Sequence, residues 1–423
     1  MKIKSVFGYQ VLDSRGRPTV AAAITLADGT THTARVPSGA STGKHEAKEL
    51  RDEDLPTANK FYEGKSVTQA VANINSIIAP TLVGTSISLA DTDTQLVNLD
   101  PSENHMVLGA NATLAVSLAA AIAQAHSQVQ SLASFFNGAG DLEIPMPMVN
   151  ILSGGAHAGR TLDIQDVLIV PNGATSFTES LSWIVAIREA AAKIGATEGK
   201  VTHLIADEGG LGIAFPSVAD ACDFVVKVIS SVGLNPGSDV SIALDIASTQ
   251  FFDGSTYNLR TEGLSLTSAD FVQYINTLVN NQPIVSIEDP FAEDDWDAWQ
   301  QFMSLAPKKL QVLGDDLLTT NLGRLNRAIA EKSANAILIK ANQNGLVTST
   351  LNVLKEARAN HFNTVVSARS GETEDSWLAD LATGWRAGQI KVGSTHGAER
   401  TAKWNRLLEL EATEPSTFAN PFA

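Results

Sequence analysis

From about residue 140 onward, short apolar runs recur, each closing on a polar or charged residue and followed by a stretch of helical periodicity. They read PMPMVNILSGG, DVLIVP, HLIADEGG, SIALDIA, IVSIEDP, LQVLGDD, AILIKANQ, TVVSARS and QIKVGS. Continuous rather than alternating apolarity marks strands buried on both faces, and intervening helices supply the crossovers of a parallel sheet. This many units at this spacing predict an α/β fold built on a closed (β/α)8-type barrel. Such barrels draw their reactive groups from the C-terminal ends of several strands.

The residues before about 130 have a different texture. PTVAAAITL and THTARV alternate as half-buried strands and meet through the turn signal ADGT. VTQAVANINSIIAPTLV and NATLAVSLAAAIAQAHSQVQSLASFF follow with helical spacing, the second as an Ala-rich buried helix. The expected organisation is an N-terminal α+β capping domain over residues 1–130 and the barrel over 140–423, with FFNGAGDLEIP as the crossing. A chain of 423 residues is long enough for both.

Charge narrows the function classes. A formal net charge of −16 excludes the electrostatic footprint of a nucleic-acid or anionic-membrane binder. The opening MKIKSVFGYQVLDSRG has no secretory apolar core, and the most apolar run is too short and polar to span a bilayer, so a cytoplasmic protein is expected. A single cysteine, Cys222, cannot form an internal disulfide and reads as an inert buried thiol.

The glycine-rich stretch SGASTGKHE at 38–46 is not a phosphate-wrapping P-loop: only three residues separate Gly39 from Gly43, and His45 stands where a hydroxyl is required. The chemistry lies at the run ends instead. Glu208, Asp245, Glu288, Asp315, Lys340, Arg369 and Lys391 each follow a separate apolar run. Singly, each reads as a solvated loop residue or helix cap. Together, in a closed barrel, Asp245, Glu288 and Asp315 converge from consecutive strands as a hard oxygen site of the kind Mg²⁺ prefers. Lys340, Arg369 and Lys391 then face those anions, which fits an anionic substrate held between metal and basic side chains.

The segments VLDSRGRPTV, VPSGASTGKHEAKELRD, MVNILSGGAHAG, ADEGGLG, SIEDPFAEDDW, LGDDLLTTN, ILIKANQNG, ARSGETED and AGQIKVGS resemble the enolase family, in order and over nearly the whole chain. The resemblance implies an enolase-type barrel acting on a small phosphorylated carboxylate. It implies two Mg²⁺ ions per site, the first on Asp245, Glu288 and Asp315, the second substrate-dependent and reached by Ser41 from a closing lid. Lys340 resembles the base that removes the proton α to the carboxylate, its pKa depressed by the surrounding positive field. Lys391 would stabilise the resulting enolate. Glu208, partnered by Asp166, resembles the acid for the departing hydroxyl. Arg369, Ser370 and His157 would bind phosphate, with Gln165 beside the carboxylate.

The pattern departs from the family on the leaving-group side. Ala368 stands where enolases carry histidine, Asp166 replaces the longer glutamate, and HGAER at 396–400 replaces a Ser-Arg pair. Three readings stay open: an ordinary phosphopyruvate hydratase acting on 2-phosphoglycerate and phosphoenolpyruvate; a relative such as the carboxyphosphonoenolpyruvate synthase of phosphinate and phosphonate biosynthesis, which uses 2-phosphoglycerate and an activated phosphonoformate; and a catalytically silent binding protein. Enolases pair the small domain of one subunit with the barrel of another, so a homodimer or higher even oligomer is expected. Light scattering of a concentrated solution should return at least twice the monomer mass, and a monomer alone contradicts it.

Overall fold

A computed structural model of the protein describes residues 1–39, 43–54, 61–102 and 104–423. Strands β1 (Ile3–Leu12), β2 (Pro18–Leu26) and β3 (Thr31–Arg35) form an antiparallel sheet in that order. β2 is the central strand, and it is buried because the helix Ala110–Ser127 lies across it and β3. That helix is alanine-rich on nearly every side, which lets it sit close to the sheet and to its helical neighbours at once.

β4 (Leu142–Ile144) leads into the barrel, whose first strands are β5 (Met146–Ser153), β6 (Asp166–Val170) and β7 (Ser241–Asp245). An external hairpin of β8 (Thr256–Leu259) and β9 (Leu264–Thr267) intervenes. β10 (Ile284–Glu288), β11 (Gln311–Gly314), β12 (Ala336–Ile339), β13 (Asn363–Ser367) and β14 (Gly388–Gly393) then close the ring onto β5. β15 (Ser416–Phe418) pairs with β4. Met146, Met148, Leu168, Val170, Leu313, Leu338 and Val365 fill the interior, so the barrel is packed and not a pore. A larger apolar layer joins the strands' outer faces to the surrounding helices. Cys222 is buried in the helix Val218–Ser231, where burial pushes its thiol up to about 12, as expected of an inert group.

Two expectations need correction. The sheet is not wholly parallel: β6 runs antiparallel to both β5 and β7. The β5–β6 connection contains a single 3₁₀ turn, Gly155–Ala158, in place of the crossover helix that parallel neighbours need. Reversal puts the first residue of β6, Asp166, opposite Ser153 and Asp245 at the same mouth as the C-terminal ends of the other strands. HLIADEGG, read as a strand, is irregular, with Leu204 and Ile205 exposed. The other eight runs close the barrel by themselves, and a closed barrel has no edge for a ninth strand.

Among the described residues, no helix is long and apolar enough to cross a membrane. Trp299 is wholly buried against Phe291, and its indole N–H donates to the Ala292 carbonyl at 3.1 Å. Trp299→Ala removes that packing and the indole hydrogen bond, while the Ala292 carbonyl keeps the Asp295 N–H at 3.0 Å. It should cost about 3–5 kcal/mol, read as a lower denaturant midpoint with the far-UV spectrum retained.

Candidate active site

The barrel mouth gathers the charged strand ends. Asp245 and Glu288 are the last residues of the adjacent strands β7 and β10 and pair in register. Asp315 and Lys340 directly follow β11 and β12, Arg369 lies two residues past β13, and Lys391 projects from within β14. The Lys391 ammonium donates to Asp245 Oδ2 at 2.7 Å and Glu288 Oε2 at 2.6 Å. Lys340 pairs with Asp315 Oδ2. Gln165 donates from Nε2 to Asp245 Oδ2 at 2.9 Å, while its own Oε1 accepts from Gln250 at 3.0 Å, which fixes the orientation of the amide.

Burial acts against these charges and the partners decide the outcome. Burial pulls Lys340 down, but Asp315 and Glu288 outweigh it and the ammonium is held above its ordinary range. The expected depression of Lys340 is therefore not found: its charged neighbours include carboxylates as well as the cations Arg369 and Lys391. Asp315 is lowered, because the Lys340 charge overcomes burial. Glu288 is pushed well up by burial and by Asp245, and its buried Oε1 has no hydrogen-bond partner. Asp289 and Asp316 add two more carboxylates beside Asp315, with oxygens of all three within 4.8 Å of one another. Asp316 is pushed up to about 8 by burial and Asp315.

Glu208 lines the same cavity, and Asp166 lies buried near it. Asn150 Nδ2 and Ser153 Oγ both donate to Asp166 Oδ1, the hydroxyl at 2.9 Å, while the buried Oδ2 has no partner among the described residues. Burial and the Glu208 and Asp245 charges push Asp166 well above the usual carboxylate range. Glu208 goes the other way: burial raises it, but Arg400, His157 and the site lysines bring it below. Glu208 arrives on a turn, not a strand end. Gly210 lets that turn approach closely, since a Cβ there would come within 2.5 Å of Ser153 Oγ. His157 sits nearby on its 3₁₀ turn, Nδ1 at 3.7 Å from Asp207 Oδ2.

Arg369 and Ser370 line the same cavity as Lys340, Glu208, His157 and Gln165, and Ala368 forms part of its wall. Ser41 lies outside the described residues. Several participants were not singled out from the sequence. Arg400, fully buried, donates to the carbonyls of Arg369 at 2.7 Å, Val392 at 3.0 Å and Ser370 at 2.6 Å, bracing the segment that carries Arg369. Glu46 and Gln250 line the cavity, and Asn150 and Ser153 set Asp166. The HGAER segment that holds Arg400 was visible, but nothing local said that its arginine turns inward.

The donor chemistry fits a hard divalent cation. Asp245, Glu288 and Asp315 are buried carboxylates at the ends of neighbouring barrel strands, Glu288 Oε1 has no hydrogen bond among the described residues, and two of their four side-chain partners are lysines that a cation could displace, the others being Gln165 and Gln343.

Residues 3–136 match the family model described as "Enolase, N-terminal domain", and residues 141–419 match "Enolase, C-terminal TIM barrel domain". Enolase 1 of Methylococcus capsulatus is 44% identical over 413 residues, covering 97% of each chain.

Asp315→Asn keeps the shape of the side chain and removes its charge. It should weaken Mg²⁺ binding by more than the roughly 10- to 100-fold that loss of an outer-shell partner costs, with the fold intact by circular dichroism. Calorimetry giving an unchanged affinity would overturn the ligand assignment.

Proposed function

The chain belongs to the enolase family, and on that premise we propose that it is a Mg²⁺-dependent lyase of the phosphopyruvate hydratase type, acting on 2-phosphoglycerate and phosphoenolpyruvate. The observation that carries this reading is one cavity lined by both Lys340 and the carboxyl of Glu208, with Asp166 buried beside Glu208 and pushed well above the usual carboxylate range. Removing a proton α to a carboxylate and expelling a hydroxyl needs a base and an acid disposed in that way.

In this reading Asp245, Glu288 and Asp315 hold one Mg²⁺, and Ser41 reaches a second that comes with the substrate. Mg²⁺ held there would supply positive charge against the substrate's carboxylate as negative charge builds on it. Lys340 Nζ takes the α-proton. Burial and the Arg369 and Lys391 cations all favour its neutral amine, and the Asp315 and Glu288 carboxylates oppose them. Lys391 Nζ and Gln165 Nε2 stand beside the carboxylate, while Arg369, Ser370 and His157 hold the phosphate. Glu208 is the acid that serves the departing hydroxyl, with Asp166 buried beside it. Assembly as a homodimer accords with Phe7 and Leu12, exposed on β1.

The second reading, a paralogue acting on 2-phosphoglycerate with an activated phosphonoformate, gains support from Ala368, whose methyl group leaves the cavity wall shallow beside Arg369. Loss of an acid–base helper typically costs about 10² to 10⁴ in rate, and an imidazole is missing only on the leaving-group side. With 2-phosphoglycerate and Mg²⁺ in deuterated buffer, α-proton exchange should outrun phosphoenolpyruvate formation. Ala368→His should speed the dehydration if the hydratase reading holds, and should leave it unchanged or slower if the small residue makes room for a co-substrate. Absence of both exchange and dehydration would sink both readings.

A further inference from the structure

Glu46 has no part in the chemistry above, yet its carboxylate enters the cavity and forks onto Arg369. Arg369 Nη1 donates to Oε2 at 2.8 Å and Nη2 to Oε1 at 3.3 Å, with both side chains almost fully enclosed. Oε1 also accepts from the Gly43 N–H at 2.8 Å and from Gln343 Nε2 at 3.3 Å. The same Gln343 nitrogen donates to Asp315 Oδ1 at 2.9 Å. The other described partner of Arg369 Nη1 is Asn342 Oδ1 at 3.1 Å.

We infer that Glu46 occupies the anion position on Arg369 that a substrate phosphate must take, and so sets the threshold of phosphate recognition by competing for that guanidinium. The inference rests on the reading of Arg369 as a phosphate-binding residue. A guanidinium edge presents two parallel N–H groups and matches one two-oxygen anion at a time. Glu46 holds such an edge. A phosphate dianion brought beside it in an enclosed site meets like charge at short range, where repulsion is poorly screened.

Exchange is mechanically simple. The backbone just past Glu46 is tied down, with the Ala47 N–H on the Gln343 carbonyl at 2.8 Å and the Lys48 N–H on the Asn104 carbonyl at 2.8 Å. The side chain can therefore swing off Arg369 without unseating residues 47 and 48. A doubly charged phosphate ester gains more from Arg369 than a single carboxylate does, so it displaces Glu46. An unphosphorylated hydroxy acid has nothing with which to displace it. Glu46 thus selects for phosphate monoesters and phosphonates over uncharged or singly charged analogues, at a cost in absolute affinity.

The test is calorimetric binding of inorganic phosphate and of phosphoenolpyruvate to the full chain at saturating Mg²⁺, for the natural sequence, Glu46→Gln, Glu46→Ala and Arg369→Gln, each checked for folding by thermal melt. Removing the competing charge should tighten phosphate binding about tenfold or more in both Glu46 variants, the scale of one charge-assisted hydrogen-bond pair. A damaged loop cannot produce tighter binding, so a purely structural role would not give this result. Mg²⁺ affinity measured without phosphate should change much less than phosphate affinity does, since Glu46 reaches Asp315 only through Gln343. Unchanged or weaker phosphate binding in folded Glu46 variants overturns the inference, weaker binding meaning that Glu46 positions Arg369 instead of competing for it. Failure of the underlying reading looks different: Arg369→Gln would then bind phosphate and phosphoenolpyruvate as the natural sequence does.

Discussion

Enclosed negative charge at the barrel mouth governs how the site is built. Asp166, Glu208, Asp245, Glu288, Asp289, Asp315, Asp316 and Glu46 crowd a space in which Lys340, Lys391 and Arg369 are the cations at hand. Carboxylates this close and this poorly solvated cannot all ionise without compensation. The structure answers in three ways. Each cation is placed on one or two carboxylates, as Lys391 is on Asp245 and Glu288. Asp289 turns its oxygens onto the backbone N–H groups of Asp315 at 2.9 Å and Asp316 at 2.7 Å. Where neither suffices the group is driven toward its neutral form, as Asp166 and Glu288 are. Removing any one charge therefore changes the protonation of its neighbours.

The reversed strand β6 follows from the same economy of space. A parallel β6 would put Val170 at the mouth and send Asp166 to the far end of the barrel. Running backwards, it delivers Asp166 across from Asp245, where its charge is disfavoured. The short β5–β6 connection that forces the reversal also carries His157 and Gln165 to the rim. One local feature, a connection without a crossover helix, thus fixes the positions of three residues with different tasks.

Support from behind the site is as specific as the groups in front. Arg400 collects the carbonyls of Arg369, Ser370 and Val392, so the end of β14 and the segment after β13 are held by one buried guanidinium. Lys403, one helical turn on, donates to the Thr373 carbonyl at 2.6 Å and pairs with Glu372 at 2.9 Å, and Glu372 in turn accepts from the Arg369 N–H at 3.1 Å. The position of Arg369, and with it the competition between Glu46 and phosphate, is set by side chains that never reach the cavity. Substitutions beneath the site, such as those within HGAER, can therefore alter recognition without touching a ligand.

Apolar periodicity in the sequence determined the barrel, the capping sheet and helices, and the strand ends from which Asp245, Glu288, Asp315, Lys340, Arg369 and Lys391 project. Burial imposes that periodicity residue by residue, so it can be read locally. It did not determine the direction of β6 or the fate of HLIADEGG, because direction depends on what the connection can span and strand membership on whether an edge is open. Nor did it show that Lys340 holds its proton against Asp315, that Asp166 and Glu208 are pushed in opposite directions, or that Glu46 closes on Arg369 across 323 residues of chain. Those outcomes are balances between burial and charges brought together from distant segments, and only the folded arrangement sets the distances on which such balances turn.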